Sequence, residues 1–144
     1  MPIWGLNSGD GTFEPKSLFT SLNVAPSLNP KFSLLQGESS WLSEPKNHLK
    51  YLNLVNSNEF NGAISITKVK INGKHLDLIT KSNVRIYILI NGNLTFEIEE
   101  TKGIELKPGA VLTLKSGTKY NLEGKAEYLV INAPAFKDSD DLYL

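Results

Sequence analysis

The sequence predicts an all-β domain with a sandwich or barrel architecture. Residues 48–132 alternate between short runs rich in Ile, Val, Leu, Thr and Tyr and turn signals that recur every ~8–12 residues. No segment shows a long apolar period of 3.6 residues, the pattern that indicates a helix. With 144 residues, the chain has the length of one ordinary domain.

The first 45 residues differ in composition from the rest. They hold five of the 7 prolines and many Ser and Asn residues. They also hold large apolar side chains, which argue against free disorder, namely Trp4, Phe13, Leu18, Phe19, Leu22, Val24, Trp41 and Leu42. We expect residues 1–45 to form an extended arm, with a short strand such as Phe32–Leu35, that packs on the domain of residues 46–144 or on a second copy of it.

Eight strands are predicted between the turn signals. Three Asn-Gly pairs, which begin at Asn61, Asn72 and Asn91, favour the left-handed backbone of tight hairpin turns. Pro108-Gly109, Ser116-Gly117 and Glu123-Gly124 continue the series of turns. The predicted strands are residues 48–56, 63–71, 74–80, 84–90, 93–99, 110–114, 118–122 and 125–132.

Two of these strands carry further information. In residues 63–71 the apolar positions change sides, which predicts a β-bulge near Thr67 or Lys68. In residues 84–90 one face carries Arg85, Tyr87 and Leu89 and the other is entirely aliphatic, so both faces are expected to be buried. An aliphatic outer face of this kind predicts a homodimer.

Charge and composition exclude several classes of protein. The 15 basic and 15 acidic residues balance, so the long positive field that a nucleic-acid partner requires is not expected. No stretch approaches the ~20 apolar residues of a membrane span, and residues 1–25 contain no apolar run of signal-peptide length. The chain has no cysteine, which excludes a disulfide scaffold and a thiol nucleophile. We therefore expect a cytoplasmic protein without nucleic-acid or membrane partners.

Three segments together resemble a known family. Residues 85–96, Arg-Ile-Tyr-Ile-Leu-Ile-Asn-Gly-Asn-Leu-Thr-Phe, look like the end of the first cupin motif. Residues 106–122, which run through Pro108-Gly109 and Gly117 to Tyr120, resemble the second cupin motif, and residues 128–136 end as many small cupins do. The resemblance covers residues 60–136 and implies a cupin-type double-stranded β-helix, or jelly-roll barrel, with a ligand pocket at its mouth.

The positions that hold a metal in cupins are altered together in this sequence. Arg85 stands at the glutamate position, Tyr120 stands at the position of the later histidine, and the region of the His-x-His pair, Leu78–Lys81, contains no histidine. His75 lies too far upstream to substitute simply. Because arginine has no lone pair to give, we expect neither a metal nor another cofactor.

Five residues are candidates for ligand binding: Arg85, Tyr87, Tyr120, His75 and Glu97. An arginine that points into a barrel needs an internal carboxylate or an anionic ligand. Glu97, Glu99 and Asp77 are the expected internal partners. Tyr87 and Tyr120 either stack on a sugar and donate a proton or are packed barrel aromatics.

The remaining candidates also have two interpretations each. His75 shares a strand face with Asp77 and either forms an oriented base or flanks an exposed hairpin. Glu97 lies about 7 Å from Glu99 on one strand face, so the pair either performs acid–base chemistry or forms a solvated face. The acidic run Asp138, Asp140 and Asp141 is expected to be solvated.

Three functions stay open at this point. The first is a binding module that holds a small anionic or sugar-like molecule in a metal-free barrel. The second is a metal-independent sugar isomerase or epimerase that uses a Tyr and a His or Glu as acid and base. The third is a structural or assembly protein whose barrel is filled with side chains. An open mouth with Arg85 exposed favours the first, a base close to a Tyr hydroxyl favours the second, and a barrel closed by Leu and Ile favours the third.

Overall fold

The structure, a computed structural model, describes residues 31–37 and 40–144. Within these residues the chain forms β-strands and two 3₁₀ turns, Pro45–Asn47 and Asp138–Asp140. The strands are β1 (Leu42–Glu44), β2 (Leu49–Val55), β3 (Ser65–Lys74), β4 (Leu78–Thr80), β5 (Val84–Ile98), β6 (Thr101–Leu106), β7 (Val111–Lys115), β8 (Lys119–Ala133) and β9 (Asp141–Tyr143). None of the described residues forms a helix long and apolar enough to cross a membrane.

Two long antiparallel strands, β5 and β8, connect two sheets. They pair from Val84 opposite Ala133 to Ile98 opposite Tyr120. The first half of β5 also pairs with β7, and its second half pairs with β6. Most of β8 pairs with β3, while its first residues pair with β4. All nine strands form one continuous sheet, which confirms the predicted all-β jelly-roll barrel. Its part β1-β2-β3-β8-β5-β7 is called the first sheet below, and its part β9-β4-β8-β5-β6 the second sheet.

Glycines allow β5 and β8 to bend from one sheet into the other. Gly92 and Gly124 have φ angles of 88° and 153°. A Cβ atom on Gly92 would overlap the backbone of Lys125, and one on Gly124 would overlap the carbonyl of Asn93. Asn91-Gly92 is thus a bend inside a strand, and the prediction of a hairpin there was wrong. Residues 84–90 and 93–99 are one strand, and so are residues 118–122 and 125–132.

Other predicted boundaries also change. Asn72-Gly73 lies inside β3, where Gly73 is opposite Gly124, whereas Asn61-Gly62 does lie in the loop between β2 and β3. The strand predicted at residues 74–80 is divided between the end of β3 and the short β4. Three strands, β1, β6 and β9, were not predicted, because β1 and β9 have only three residues each and β6 contains a glycine and two charged residues.

The predicted bulge occurs on a neighbouring strand. β3 pairs with β8 without interruption from Ser65 to Lys74, so Thr67 and Lys68 are in regular register. The register shift lies in β2, between Asn53 and Val55. The inward side chains of β3 are polar at the start of the strand and apolar at its end. In the sequence, this change of residue type looks like a switch of the buried face from one side of the strand to the other, which is the pattern that predicted a bulge.

The hydrophobic core begins in the first half of the barrel, where Leu89 belongs to it, and fills the second half. Leu78, Leu94, Phe96 and Leu122 are at most 1% exposed there. The outer face of β5 is less covered than predicted, since Val84 is 42% exposed and Ile86 and Ile88 are half-buried.

Most of the predicted arm, residues 1–45, lies outside the described residues. Of its described part, Phe32 forms an isolated bridge and Leu42–Glu44 forms β1, which pairs with β2. The predicted strand Phe32–Leu35 is therefore limited to that one bridge. The homodimer stays a prediction.

Candidate functional site

A cavity of about 740 Å³ lies between the first sheet and the C-terminal segment of residues 134–144. Its floor consists of inward side chains that the strand register arranges in rows. From β3 through β8 to β5, the rows are Ser65, Asn132 and Arg85, then Thr67, Val130 and Tyr87, then Val69 and Tyr128. Polar side chains dominate the first row and apolar ones the last, so the floor changes from polar to apolar along the strands.

A second concave surface lies away from these residues. A groove of about 890 Å³ follows the end of β3 and the bends of β5 and β8, and its lining includes Lys50, Lys70 and Lys125. None of the five predicted site residues lines it. Three of them, Arg85, Tyr87 and His75, line the 740 Å³ cavity. We therefore take that cavity as the candidate site.

Arg85 is the most highly connected side chain of the cavity wall. It is 2% exposed. Its Nε donates to Oδ1 of Asn132 at 2.8 Å, and its Nη1 donates to the hydroxyl of Tyr120 at 2.9 Å and to Oδ1 of Asp141 at 2.6 Å. The ring of Phe136 lies 5.7 Å from the guanidinium carbon. Arg85 is thus buried and fixed on several sides.

The internal carboxylate that pairs with Arg85 is Asp141, which corrects two predictions. Glu97, Glu99 and Asp77 were the expected partners, and Asp141 was expected to be solvated. Instead, its side chain is 12% exposed. Burial raises the pKa of Asp141 above its ordinary value, and the adjacent Arg85 opposes this shift. Asp141 belongs to β9, which hydrogen-bonds to β4 and so brings the carboxylate to the cavity.

The hydroxyls of Tyr87 and Tyr120 form a chain that begins at Arg85. The two oxygens are 2.6 Å apart. Tyr120 accepts a hydrogen bond from Arg85 and does not line the cavity. Either hydroxyl can be the donor of this hydrogen bond. With Tyr120 as the donor, the proton of Tyr87 is available to a ligand in the cavity. Burial raises the pKa of both phenols, so both are protonated at neutral pH.

His75 is a buried neutral base on the same cavity. It lies between β3 and β4 and is 8% exposed, so the prediction of an exposed hairpin flank was wrong. Its Nδ1 is 2.9 Å from the carbonyl oxygen of Leu76. A carbonyl can only accept, so Nδ1 carries the proton and Nε2 keeps its lone pair. Burial lowers the pKa of His75, which favours this neutral form. Its ring stacks on Tyr143 at 6.1 Å.

The structure does not bring Glu97 to the cavity. Glu97 lies on the second half of β5, where its carboxylate is 3.4 Å from the side-chain amide of Asn121. Asp77 accepts a hydrogen bond from the same amide at 2.9 Å. Glu99 is exposed, adopts a φ of 54° and accepts the backbone N–H of Lys119. The predicted pairs Glu97 with Glu99 and His75 with Asp77 therefore do not form acid–base units in this cavity.

Four buried polar groups on the cavity wall make no hydrogen bond within the described part of the chain. They are Nη2 of Arg85, Nδ2 of Asn132, the hydroxyl of Tyr128 and Nε2 of His75. Sequence reasoning missed Asn132 and Tyr128. The alternation along β8, in which Tyr128, Val130 and Asn132 share the inward face, was the signal that could have found them.

The residues at the cupin metal positions do not fit a metal ion. Arg85 is a cation without a lone pair, and its Nη1 is held by Asp141 and Tyr120. Tyr120 is a protonated phenol in contact with that cation. No group of three or more His, Asp or Glu side chains in residues 31–37 and 40–144 is arranged to hold a metal ion.

Comparisons with known proteins place the fold. No protein-family model matches the sequence, and no curated protein matches it either. Streptomyces Pac13 with uridine matches with a TM-score of 0.63 and 14% identity, over 74% of this chain and 85% of that one. KdgF from Halomonas sp. matches with a TM-score of 0.59 and 17% identity, over 70% and 91%. The polyketide cyclase RemF from Streptomyces resistomycificus matches with 0.59 and 10%, over 74% and 89%.

These solved structures are cupin-type jelly-roll barrels. The chain therefore has the cupin fold, as the motifs in residues 85–96 and 106–122 implied. With identities of 17% or less, the similarity concerns the fold alone.

Proposed function

We propose that this protein binds a small uncharged molecule rich in hydroxyl or carbonyl groups, of the sugar or nucleoside type, in the cavity of its first sheet. The observation that carries this function is the set of four unpaired buried polar groups on the cavity wall, on Arg85, Asn132, Tyr128 and His75. Each hydrogen bond that a ligand makes to one of these groups is worth about 0.5–1.5 kcal/mol. A ligand that pairs several of them would therefore gain affinity.

The balance of charge favours the sugar-like ligand over the anionic one. Arg85 is paired with Asp141. The other charged side chains on the lining are Lys46, Glu44 and Asp138, so acidic groups outnumber basic ones. An anion would therefore meet more acidic than basic side chains in this cavity. The open cavity also argues against the alternative of a structural protein with a filled barrel.

A nucleoside is a well-motivated first ligand to test. Three Pac13 structures contain uridine, and the protein in each carries a substitution of a histidine or a tyrosine. Pac13 is described as a nucleoside dehydratase. The cavity of the present protein likewise has a histidine and tyrosines on its wall. Uridine, glucose and galactose therefore form the first panel.

Calorimetry with this panel tests the binding function. Tyr128→Phe deletes one unpaired hydroxyl, and we expect it to weaken binding by about 2- to 10-fold, the effect of one neutral hydrogen bond. Thr95→Val, which deletes a hydroxyl on the opposite face of β5, is the matched control and should leave the affinity unchanged. The binding function is contradicted if the wild type binds no member of the panel, or if Tyr128→Phe binds the ligand as tightly as the wild type does.

A second candidate function is acid–base catalysis without a metal. It is favoured by one observation: the Nε2 lone pair of neutral His75 and the hydroxyl of Tyr87 lie on the same cavity. Such a pair can remove a proton from carbon and return one, as isomerases and epimerases do. Incubation of a bound ligand in D₂O, followed by mass spectrometry, should show exchange at carbon that His75→Gln abolishes. Binding without exchange at carbon would contradict the catalytic function and would leave only the binding function.

A homodimer is proposed on separate grounds. The outer face of β5 and its neighbour β7 expose aliphatic side chains, including Val84 at 42% and Val111 at 60%. Light scattering at micromolar concentration should give about twice the 15.9 kDa chain mass. The monomer mass would contradict a dimer. A cytoplasmic location stays a prediction.

A further inference from the structure

We infer that Asp141 sets the charge selectivity of the cavity: by neutralising Arg85, it makes the site accept uncharged ligands and exclude anions. This inference rests on the proposed binding function and identifies the residue that decides its ligand class. The observation behind it is that Asp141, the carboxylate paired with Arg85, comes from the C-terminal segment and not from the wall on which Arg85 lies.

The geometry of the pair supports full neutralisation. Oδ1 of Asp141 is 2.6 Å from Nη1 of Arg85, and the two side chains are 12% and 3% exposed. Opposite charges this close and this little exposed to water interact strongly. The other hydrogen-bond partners of Arg85, Tyr120 and Asn132, are uncharged. Within the described part of the chain, Asp141 is therefore the group that cancels this cation.

Asp141 is held in place by contacts that do not involve Arg85. It is opposite Thr80 in the pairing of β9 with β4, and Tyr143 of the same strand is opposite Leu78. The hydroxyl of Tyr143 accepts a hydrogen bond from the buried amide of Asn47 at 3.2 Å. The segment should consequently keep its position when the carboxylate is replaced by an amide of the same shape.

Removal of the Asp141 charge would change which donors of Arg85 are available to an anionic ligand. Nη2 already has no partner in the described residues, and Nη1 would lose its anionic one. A guanidinium with two such nitrogens binds carboxylate or phosphate through a fork of parallel hydrogen bonds. Glu105, on β6, is exposed and does not line the cavity. It is therefore the acidic control residue whose neutralisation should leave the selectivity unchanged.

The test compares wild type with Asp141→Asn and with the control Glu105→Gln. Each protein is titrated with uridine and uridine 5′-monophosphate, with glucose and glucuronate, and with inorganic phosphate alone. We expect Asp141→Asn to bind the anionic members at least about 10-fold more tightly than wild type, the effect of one charge-assisted hydrogen bond. Binding of the neutral members should change by less than about 3-fold. Glu105→Gln should resemble wild type throughout.

Two further variants keep the result interpretable. Asp141→Glu retains the charge and should retain the wild-type preference. Arg85→Gln combined with Asp141→Asn removes the cation as well and should lose the gain for anions. A wild type that binds neutral ligands, together with an Asp141→Asn that gains no affinity for any anion, would overturn the inference and leave the binding function intact. A wild type that binds only anions would overturn both. Titration with inorganic phosphate still compares anion binding by Asp141→Asn and wild type if none of the organic ligands binds.

Discussion

The two halves of β5 pair with the same strand, β8, but have opposite interiors. In the first half, Arg85 and Tyr87 face a hydrogen-bonded network and an open cavity. In the second half, Leu94 and Phe96 face a closed apolar core and are at most 1% exposed. The glycine bends divide these regions. One pair of strands therefore separates a closed apolar part of the barrel from a part that keeps unpaired polar groups on an open cavity.

The largest effect is expected from removal of Arg85 in the polar half. Arg85→Met leaves the carboxylate of Asp141 without its cation and the oxygens of Asn132 and Tyr120 without their donor. Breaking a buried ion pair from one side costs ~3–5 kcal/mol, and we expect a loss of that size in the free energy of unfolding measured by urea denaturation.

The matched control for this change is Lys115→Met, which removes an exposed cation from β7. Its effect should stay within about 0.5 kcal/mol. A loss of less than about 1 kcal/mol for Arg85→Met would mean that the polar half does not depend on its ion pair.

The second prediction compares one substitution in each half of β8. Leu122 is 0% exposed in the apolar core, so Leu122→Ala should lower the free energy of unfolding by ~2–5 kcal/mol. Val130 lies on the wall of the open cavity and has fewer neighbours to lose, so Val130→Ala should cost about 1 kcal/mol or less. Urea denaturation measures both. Equal losses would contradict the division of the barrel into a filled and an open half.

The candidate site was predictable where the cupin resemblance reached and not beyond it. Motif positions placed Arg85, Tyr87 and Tyr120 on the barrel interior, and the structure brings the three into one network. Asp141 was missed because it lies 56 residues from Arg85 in an acidic run of the kind usually found in solvent. A contact over that separation is set by how β9 docks on β4, which a single sequence does not encode locally.

The fold shows the same limit of local signals. Asn91-Gly92 correctly indicates a backbone with positive φ, and Gly92 has a φ of 88°. That dihedral suits both a hairpin turn and a bend within a continuous strand. The choice depends on the partner strand, where Ala126 lies opposite Gly92 and leaves no room for a Cβ atom. The pairing of β5 with β8 therefore determines that Asn91-Gly92 is a bend within a strand, a choice that the Asn-Gly signal alone does not make.

The third prediction concerns pH and the polar half. Burial lowers the pKa of His75 below its ordinary value of 6.5, so the unfolded chain binds a proton here more readily than the folded one. Between the folded pKa and 6.5, stability should then fall as pH falls. Melting temperatures recorded from pH 7.5 downward through this window should decrease, and His75→Gln should reduce the slope. His48→Gln, at an exposed histidine, is the control, and an unchanged slope in His75→Gln would contradict the role of burial.

The smallest effect is expected from the unpaired hydroxyl of Tyr128. Because this hydroxyl has no hydrogen-bond partner among the described residues, Tyr128→Phe should change the free energy of unfolding of the ligand-free protein by less than about 0.5 kcal/mol. Tyr120→Phe is the matched comparison, since it deletes a hydroxyl that joins Arg85 to Tyr87. It should cost ~1–3 kcal/mol. If Tyr128→Phe were as destabilising as Tyr120→Phe, the hydroxyl of Tyr128 would already be paired in the free protein and would not be available to a ligand.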